Sequence, residues 1–141
     1  MKSVRGLLLL LVFASWARAE SLPLIPLKIG EFEFCAEVAG TEGARERGLM
    51  HRKTLAENHG MLFVFPESGK YSLWMANTII PLNAAFLDAE GVILAIVTMR
   101  PQESTIHSSP EHTAYALEMN AGWFDERRIR AGDKVEGVPP R

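Results

Sequence analysis

Hydrophobic positions along the chain gather into short runs parted by turn residues, and the densest series lies between Gly60 and Val97. Residues 60–66, 71–78, 81–88 and 92–97 are four such runs, which predict consecutive strands of a small sheet. Pro66-Glu67-Ser68-Gly69 is placed as the first turn between them, and Asp88-Ala89-Glu90-Gly91 as a hairpin connection. Upstream, residues 27–38 alternate. Phe32, Phe34, Ala36 and Val38 fall on one face, and Glu31, Glu33, Cys35 and Glu37 on the other, the period of a half-buried strand. Gly30 is placed to split this stretch into a hairpin.

Two short helices interrupt the strands. Thr41 can cap the first, Glu42 complements its N-terminal dipole, and Gly48 ends it after Arg47, leaving Leu49 and Met50 for the core. A second capped turn is expected from Thr54 to Gly60. Residues 101–110 are polar and aperiodic, an exposed loop; residues 113–119 form a late strand. Asn120 is the expected cap of a helix through Trp123 to Arg128, and Lys134 to Gly137 makes a last short strand. The pattern predicts a β-rich α+β fold: a small, partly closed antiparallel β-barrel or sandwich with two short helices. A parallel pairing needs a crossover of a dozen or so residues, and no connection inside 60–97 is that long.

The first 19 residues read as a secretory signal. Lys2 and Arg5 precede an apolar run from Leu7 to Phe13, and Ala17-Arg18-Ala19 is a small-x-small cleavage site. That run is shorter than the roughly 20 residues a spanning helix requires. Cleavage after Ala19 would leave residues 20–141 as a single domain, exported to the periplasm or beyond. Of 15 Lys/Arg in the chain, Lys2, Arg5 and Arg18 leave with the signal, so 12 face 17 Asp/Glu, a net −5. That balance argues against nucleic acid as a partner and against stable membrane insertion after cleavage. The single cysteine, Cys35, excludes an internal disulfide, and its carboxylate neighbours Glu33 and Glu37 make it a poor nucleophile.

Several motifs carry a resemblance. Arg45-Glu46-Arg47-Gly48-Leu49-Met50-His51-Arg52, Gly60-Met61-Leu62-Phe63, Trp74-Met75-Ala76-Asn77-Thr78, Pro81-Leu82, Phe86-Leu87-Asp88, Leu117-Glu118 with Ala121-Gly122, and Gly132-Asp133-Lys134-Val135 occur in order. Together they resemble the family called domain of unknown function 192, or UPF0127, over about residues 27–138. The resemblance implies a small β-rich domain, secreted or free-standing, and no established activity. Asn83 stands where many members have Asp, and Ala76 where many have Lys. The cysteines that some members carry before the late strand are missing here. An acid, base or metal-ligand role at position 83 is thereby weakened, because an amide does not ionise.

The candidate ligand-binding residues are Trp74, Asn77, Thr78, Asn83, Arg45, Arg52 and Glu118. On a strand over 71–78, Trp74, Ala76 and Thr78 share one face, and Met75 and Asn77 the other. Trp74 would then wall a groove in which Asn77 is the polar handle; alternatively Asn77 and Thr78 bond main chain at a turn. The arginines form either a solvated face with one ion pair, Glu118 being the candidate partner, or a fork for a ligand carboxylate. Glu118 is either that partner or a buried acid with a raised pKa.

His51, His59, His107 and His112 lack metal-site spacing, although Glu103, His107, Glu111 and His112 share one loop and could gather an ion weakly. No metal and no cofactor is expected. The leading expectation is an exported domain binding a small polar ligand or an envelope protein. A second is an envelope enzyme using Glu118 with Arg45 or Arg52 for acid-base work. A third is an assembly module that pairs through a sheet edge.

Overall fold

The computed structural model describes residues 21–141, and the expected signal at 1–19 lies outside the described residues. Among the described residues, nine strands and two helices follow one another: β1 (Leu24–Ile29), β2 (Phe32–Ala39), α1 (Glu42–Arg47), β3 (His59–Gly69), β4 (Ser72–Leu73), β5 (Leu82–Leu87), β6 (Ile93–Met99), β7 (His107–Ser108), β8 (Thr113–Asn120), α2 (Trp123–Glu126) and β9 (Val135–Glu136). Seven strands make one curled sheet in the order β6-β5-β8-β3-β2-β1-β9, and β4 with β7 forms a separate ribbon. The β-rich α+β expectation holds, with the sheet curled as a half-barrel.

One pairing departs from the antiparallel expectation. β2 runs parallel to β3, with Ala36 opposite Gly60 and Val38 opposite Leu62. Its crossover lies upstream of the 60–97 series and contains α1, which supplies the length that a parallel return requires. The hairpin at Gly30 forms as the alternation predicts, pairing Leu27 with Phe34, and Gly30 takes the left-handed φ of 57° that glycine tolerates. β3 extends past Pro66 to Gly69, with a bulge against β8 between Val64 and Gly69, where a plain turn was expected.

Helix α1 begins and ends where its sequence dictates. The Thr41 hydroxyl accepts from the Ala44 N–H at 3.2 Å, and Gly48 closes the helix by donating to the Ala44 carbonyl at 2.9 Å. The expected capped turn from Thr54 to Gly60 closes late in that stretch, with His59 N–H donating to Ala56 O, and β3 begins before Gly60. Asn120 does not cap α2. Its amide donates to Leu55 O at 2.8 Å, while Gly122, at φ 90°, occupies the cap position.

The sheet divides the core into two clusters. Leu62, Ala85, Leu117 and Met119 point to one face with Leu27, Phe34, Trp123 and Phe124. Met61, Phe63, Ala84, Phe86 and Ala116 point to the other with Leu49, Phe65, Leu73 and Met75. Strand β8, bonded on both edges and covered on both faces, is buried from Thr113 to Met119. Each fully buried Leu, Met or Phe side chain in such a layer contributes about 1.5–3 kcal/mol.

Gly60 is the tightest junction of this core. A β-carbon there would land 2.5 Å from the Glu118 carbonyl oxygen and against the Met119 sulfur. The methionine end can move, but the backbone oxygen is fixed by the β3–β8 ladder. Gly60→Ala is therefore expected to destabilise by about 1–3 kcal/mol through overpacking. Urea unfolding checks this, and an unchanged midpoint would contradict the close approach.

Candidate functional site

Glu118 projects from the middle of β8, opposite Met61 of β3 on one side and Ala84 of β5 on the other. Both neighbours belong to the second core cluster, so register alone places a carboxyl on an apolar floor. The residue retains 4% of its surface. That remnant opens into a cavity of about 270 Å³ between α1, β3, the 71–78 segment and β8. Among the described residues no polar side-chain atom is both sealed and unpartnered, consistent with carboxyl oxygens that reach this cavity. Burial, with no compensating donor or cation, pushes the Glu118 pKa from 4.5 up to about 8. At neutral pH it is a carboxylic acid with one proton to donate.

The cavity walls are apolar and aromatic: Leu49, Phe63, Phe65, Tyr71, Leu73 and Met75. Phe65 and Tyr71 stack with ring centroids 3.8 Å apart, and the Tyr71 hydroxyl donates to Glu67 O at 2.6 Å, so the phenol is held in place. Helix α1 supplies a charged rim of Glu42, Arg45, Glu46 and Arg47. The β4–β7 ribbon holds the opposite rim, pairing Leu73 with His107 and locking Tyr71 N–H onto the Ser109 hydroxyl at 2.8 Å.

The structure brings four of the seven predicted residues together. Trp74, Thr78, Arg45 and Glu118 all line the cavity, whereas Asn77, Asn83 and Arg52 do not. The segment 71–78 is not a strand beyond Leu73, which overturns the alternation argument for its faces. Asn77 sits in the left-handed region at φ 53°, a conformation asparagine tolerates and a strand does not contain. It is exposed, and its carbonyl accepts from His51 N–H at 2.9 Å. Thr78 is buried and donates its hydroxyl to Ala76 O at 3.1 Å, the turn alternative.

Asn83 is a structural link: its amide oxygen accepts from Gly122 N–H at 2.7 Å, and its NH₂ donates to the Thr98 hydroxyl at 3.3 Å. Arg52 grips Glu37 of β2 with both terminal guanidinium nitrogens, and this partner raises its pKa. Arg45 donates to the carbonyls of Gly40 and Val64, both at 3.1 Å. Neither arginine pairs with Glu118, so the expected Glu118–arginine ion pair does not form, and among the described residues the carboxyl has no partner. Sequence reasoning missed Phe63, Phe65 and Tyr71 as cavity walls. Phe63 and Phe65 stand two apart on β3, and Tyr71 follows that strand, but that their side chains meet a hollow depends on how α1 is laid across it.

Trp74 is 49% exposed and stands at the mouth, which removes it from the core. Trp74→Ala is expected to cost about 1–2 kcal/mol, well below the cost of emptying a core aromatic site, because about half of the ring is already in water. A loss of several kcal/mol in urea titration would contradict its place on the rim.

The sequence model of DUF192, described as an uncharacterized ACR, matches residues 25–137. No curated protein matches the chain. Among solved structures, a proposed transcription regulator from Sinorhizobium meliloti 1021 is 35% identical with a TM-score of 0.81, over 84% of this chain and 96% of that one. A protein of unknown function from Novosphingobium aromaticivorans DSM 12444 is 30% identical with a TM-score of 0.79, over 82% and 86% respectively.

Proposed function

The chain belongs to the DUF192 family, and on that premise we propose that it is an exported domain that binds a small molecule in the cavity above Glu118. One observation carries this reading: a carboxyl with 4% of its surface left, free of any internal partner among the described residues, opens into an aromatic-walled hollow. A buried polar group without a partner is costly, and a core position is ordinarily filled by an apolar side chain. An incoming polar atom that pairs with Glu118 relieves that cost. At about 270 Å³ the cavity lies just below the usual range for ligand sites, about 300–1,000 Å³, and suits a small ligand.

Thermal shift with a panel of small amines, alcohols, carboxylates and sugars tests the reading. A ligand at a hundred times its Kd stabilises by about 2.7 kcal/mol, and a Ser72→Trp block at the mouth should abolish the shift. No shift with any compound, or an equal shift in the blocked variant, overturns it.

Export rests on Lys2, Arg5, the apolar run and the Ala17-Arg18-Ala19 site. N-terminal sequencing of the protein from cell fractions tests it: a mature chain starting at Glu20 outside the cytoplasm is expected, and an intact cytoplasmic N-terminus overturns export. The lone Glu118 also favours a second reading, proton transfer to a bound substrate, because its pKa near 8 keeps the proton available at neutral pH. Turnover abolished by Glu118→Gln with substrate binding retained would separate catalysis from binding.

A further inference from the structure

We propose that the ligand of this cavity is an organic ammonium cation, its nitrogen set against Glu118 and its apolar body against Phe63, Phe65, Leu73 and Met75. The inference rests on the cavity reading above and narrows it to one chemical class. The charged groups that face the hollow are few. Helix α1 contributes Glu42, Arg45, Glu46 and Arg47, two of each sign, so the rim is formally neutral. Tyr71 carries the one other titratable group of the lining, and its hydroxyl is engaged with Glu67 O. The strands flanking Glu118 offer Met61 and Ala84. Glu118 alone therefore sets the sign of the field at the floor.

Three kinds of polar tip could meet it. An anion finds no cation on the floor and is repelled as soon as Glu118 ionises. A neutral acceptor gains one hydrogen bond from the acid. An ammonium gains a charge-assisted bond, roughly twice as strong as a neutral one, in a setting where little water screens it. Folding has already stripped the carboxyl of water, so the ligand does not bear that part of the desolvation that usually weakens buried ion pairs. Aromatic walls add a second preference, since ring faces attract cations and do not attract anions.

Pairing moves one proton. Below about pH 8 the Glu118 carboxylic O–H must release its proton to solvent as the ammonium N–H takes its place at the oxygen. Affinity should therefore rise about tenfold per pH unit up to about 8 and then level until the amine itself loses its proton.

Calorimetric titration of the purified chain with benzylamine, benzyl alcohol and benzoate tests the assignment. At about pH 8 the amine should bind at least roughly tenfold tighter than the alcohol, and benzoate should bind most weakly. At about pH 6.5, heats in two buffers of different ionisation enthalpy should show about one proton released per amine bound. The Glu118→Gln variant should lose the preference for the amine, the pH slope and the released proton. The proposal is overturned if the alcohol or benzoate binds as tightly as the amine, if the amine binds without a pH slope, or if Glu118→Gln binds it unchanged. Binding of neutral or anionic compounds alone overturns the cation assignment and leaves the cavity reading standing; binding of nothing in this set or the broader panel overturns both.

Discussion

Unfolding stability is expected to fall by about 4–5 kcal/mol between pH 4 and pH 9 through Glu118 alone, and the Glu118→Gln variant should lack that decline. The cause is the burial that lifts the carboxyl from 4.5 to about 8. Between those values the folded chain holds a proton that the unfolded chain has released. The contribution is therefore complete below the lower value and is lost as pH climbs through the upper one. The other resolved carboxyl shift has the opposite sign. His107 and the Arg100 N–H hold the Glu103 carboxyl below its ordinary value, so its contribution is present at neutral pH and is lost only as pH falls into the acid range. The difference between wild type and Glu118→Gln, measured by urea unfolding across the range, isolates the buried acid. Parallel pH curves for the two proteins would show that position 118 is paired or wet.

The second large effect is expected at Trp123. Its ring packs edge-on to Phe34 at 4.9 Å and to Phe124 at 5.3 Å, and the Arg127 guanidinium lies 4.4 Å from its centroid. Its indole N–H donates to the Asn58 side chain at 3.1 Å, tying α2 to the turn before β3. With 3% of its surface exposed, Trp123→Ala should cost about 3–5 kcal/mol, the range for an emptied aromatic site. Trp123→Phe should recover most of that loss, because burial outweighs the single indole hydrogen bond. A loss below about 1 kcal/mol on truncation to alanine would mean that the first core cluster does not close around this ring.

The parts of the fold legible in the sequence are those governed by short-range rules. Alternation at Phe32, Phe34 and Ala36 placed β2, and Thr41 with Gly48 bracketed α1, because strand faces and helix caps are set within a few residues. What escaped was long-range. β4 finds its partner β7 more than thirty residues away, and nothing local in Ser72-Leu73 marks where that strand stops. Trp74 to Thr78 carries strand-like composition, yet the left-handed Asn77 and the bond from Thr78 N–H to Met75 O turn the chain. The parallel β2–β3 ladder was equally hidden, since pairing direction depends on where α1 carries the chain. At the site, Glu118 stood out as a charge inside an apolar run. Its isolation did not, because Arg52 and Arg45 find Glu37 and main-chain carbonyls through geometry the sequence does not display.

A neutral glutamic acid at the floor of an open hollow underlies both the proposed ligand site and the pH dependence of stability. Carbon-13 NMR of the side-chain carboxyl signals, with Glu118 assigned by comparison with Glu118→Gln, measures its protonation directly. A midpoint near 8 that drops when benzylamine is added is the predicted result. A midpoint near the ordinary 4.5, indifferent to the amine, would contradict it.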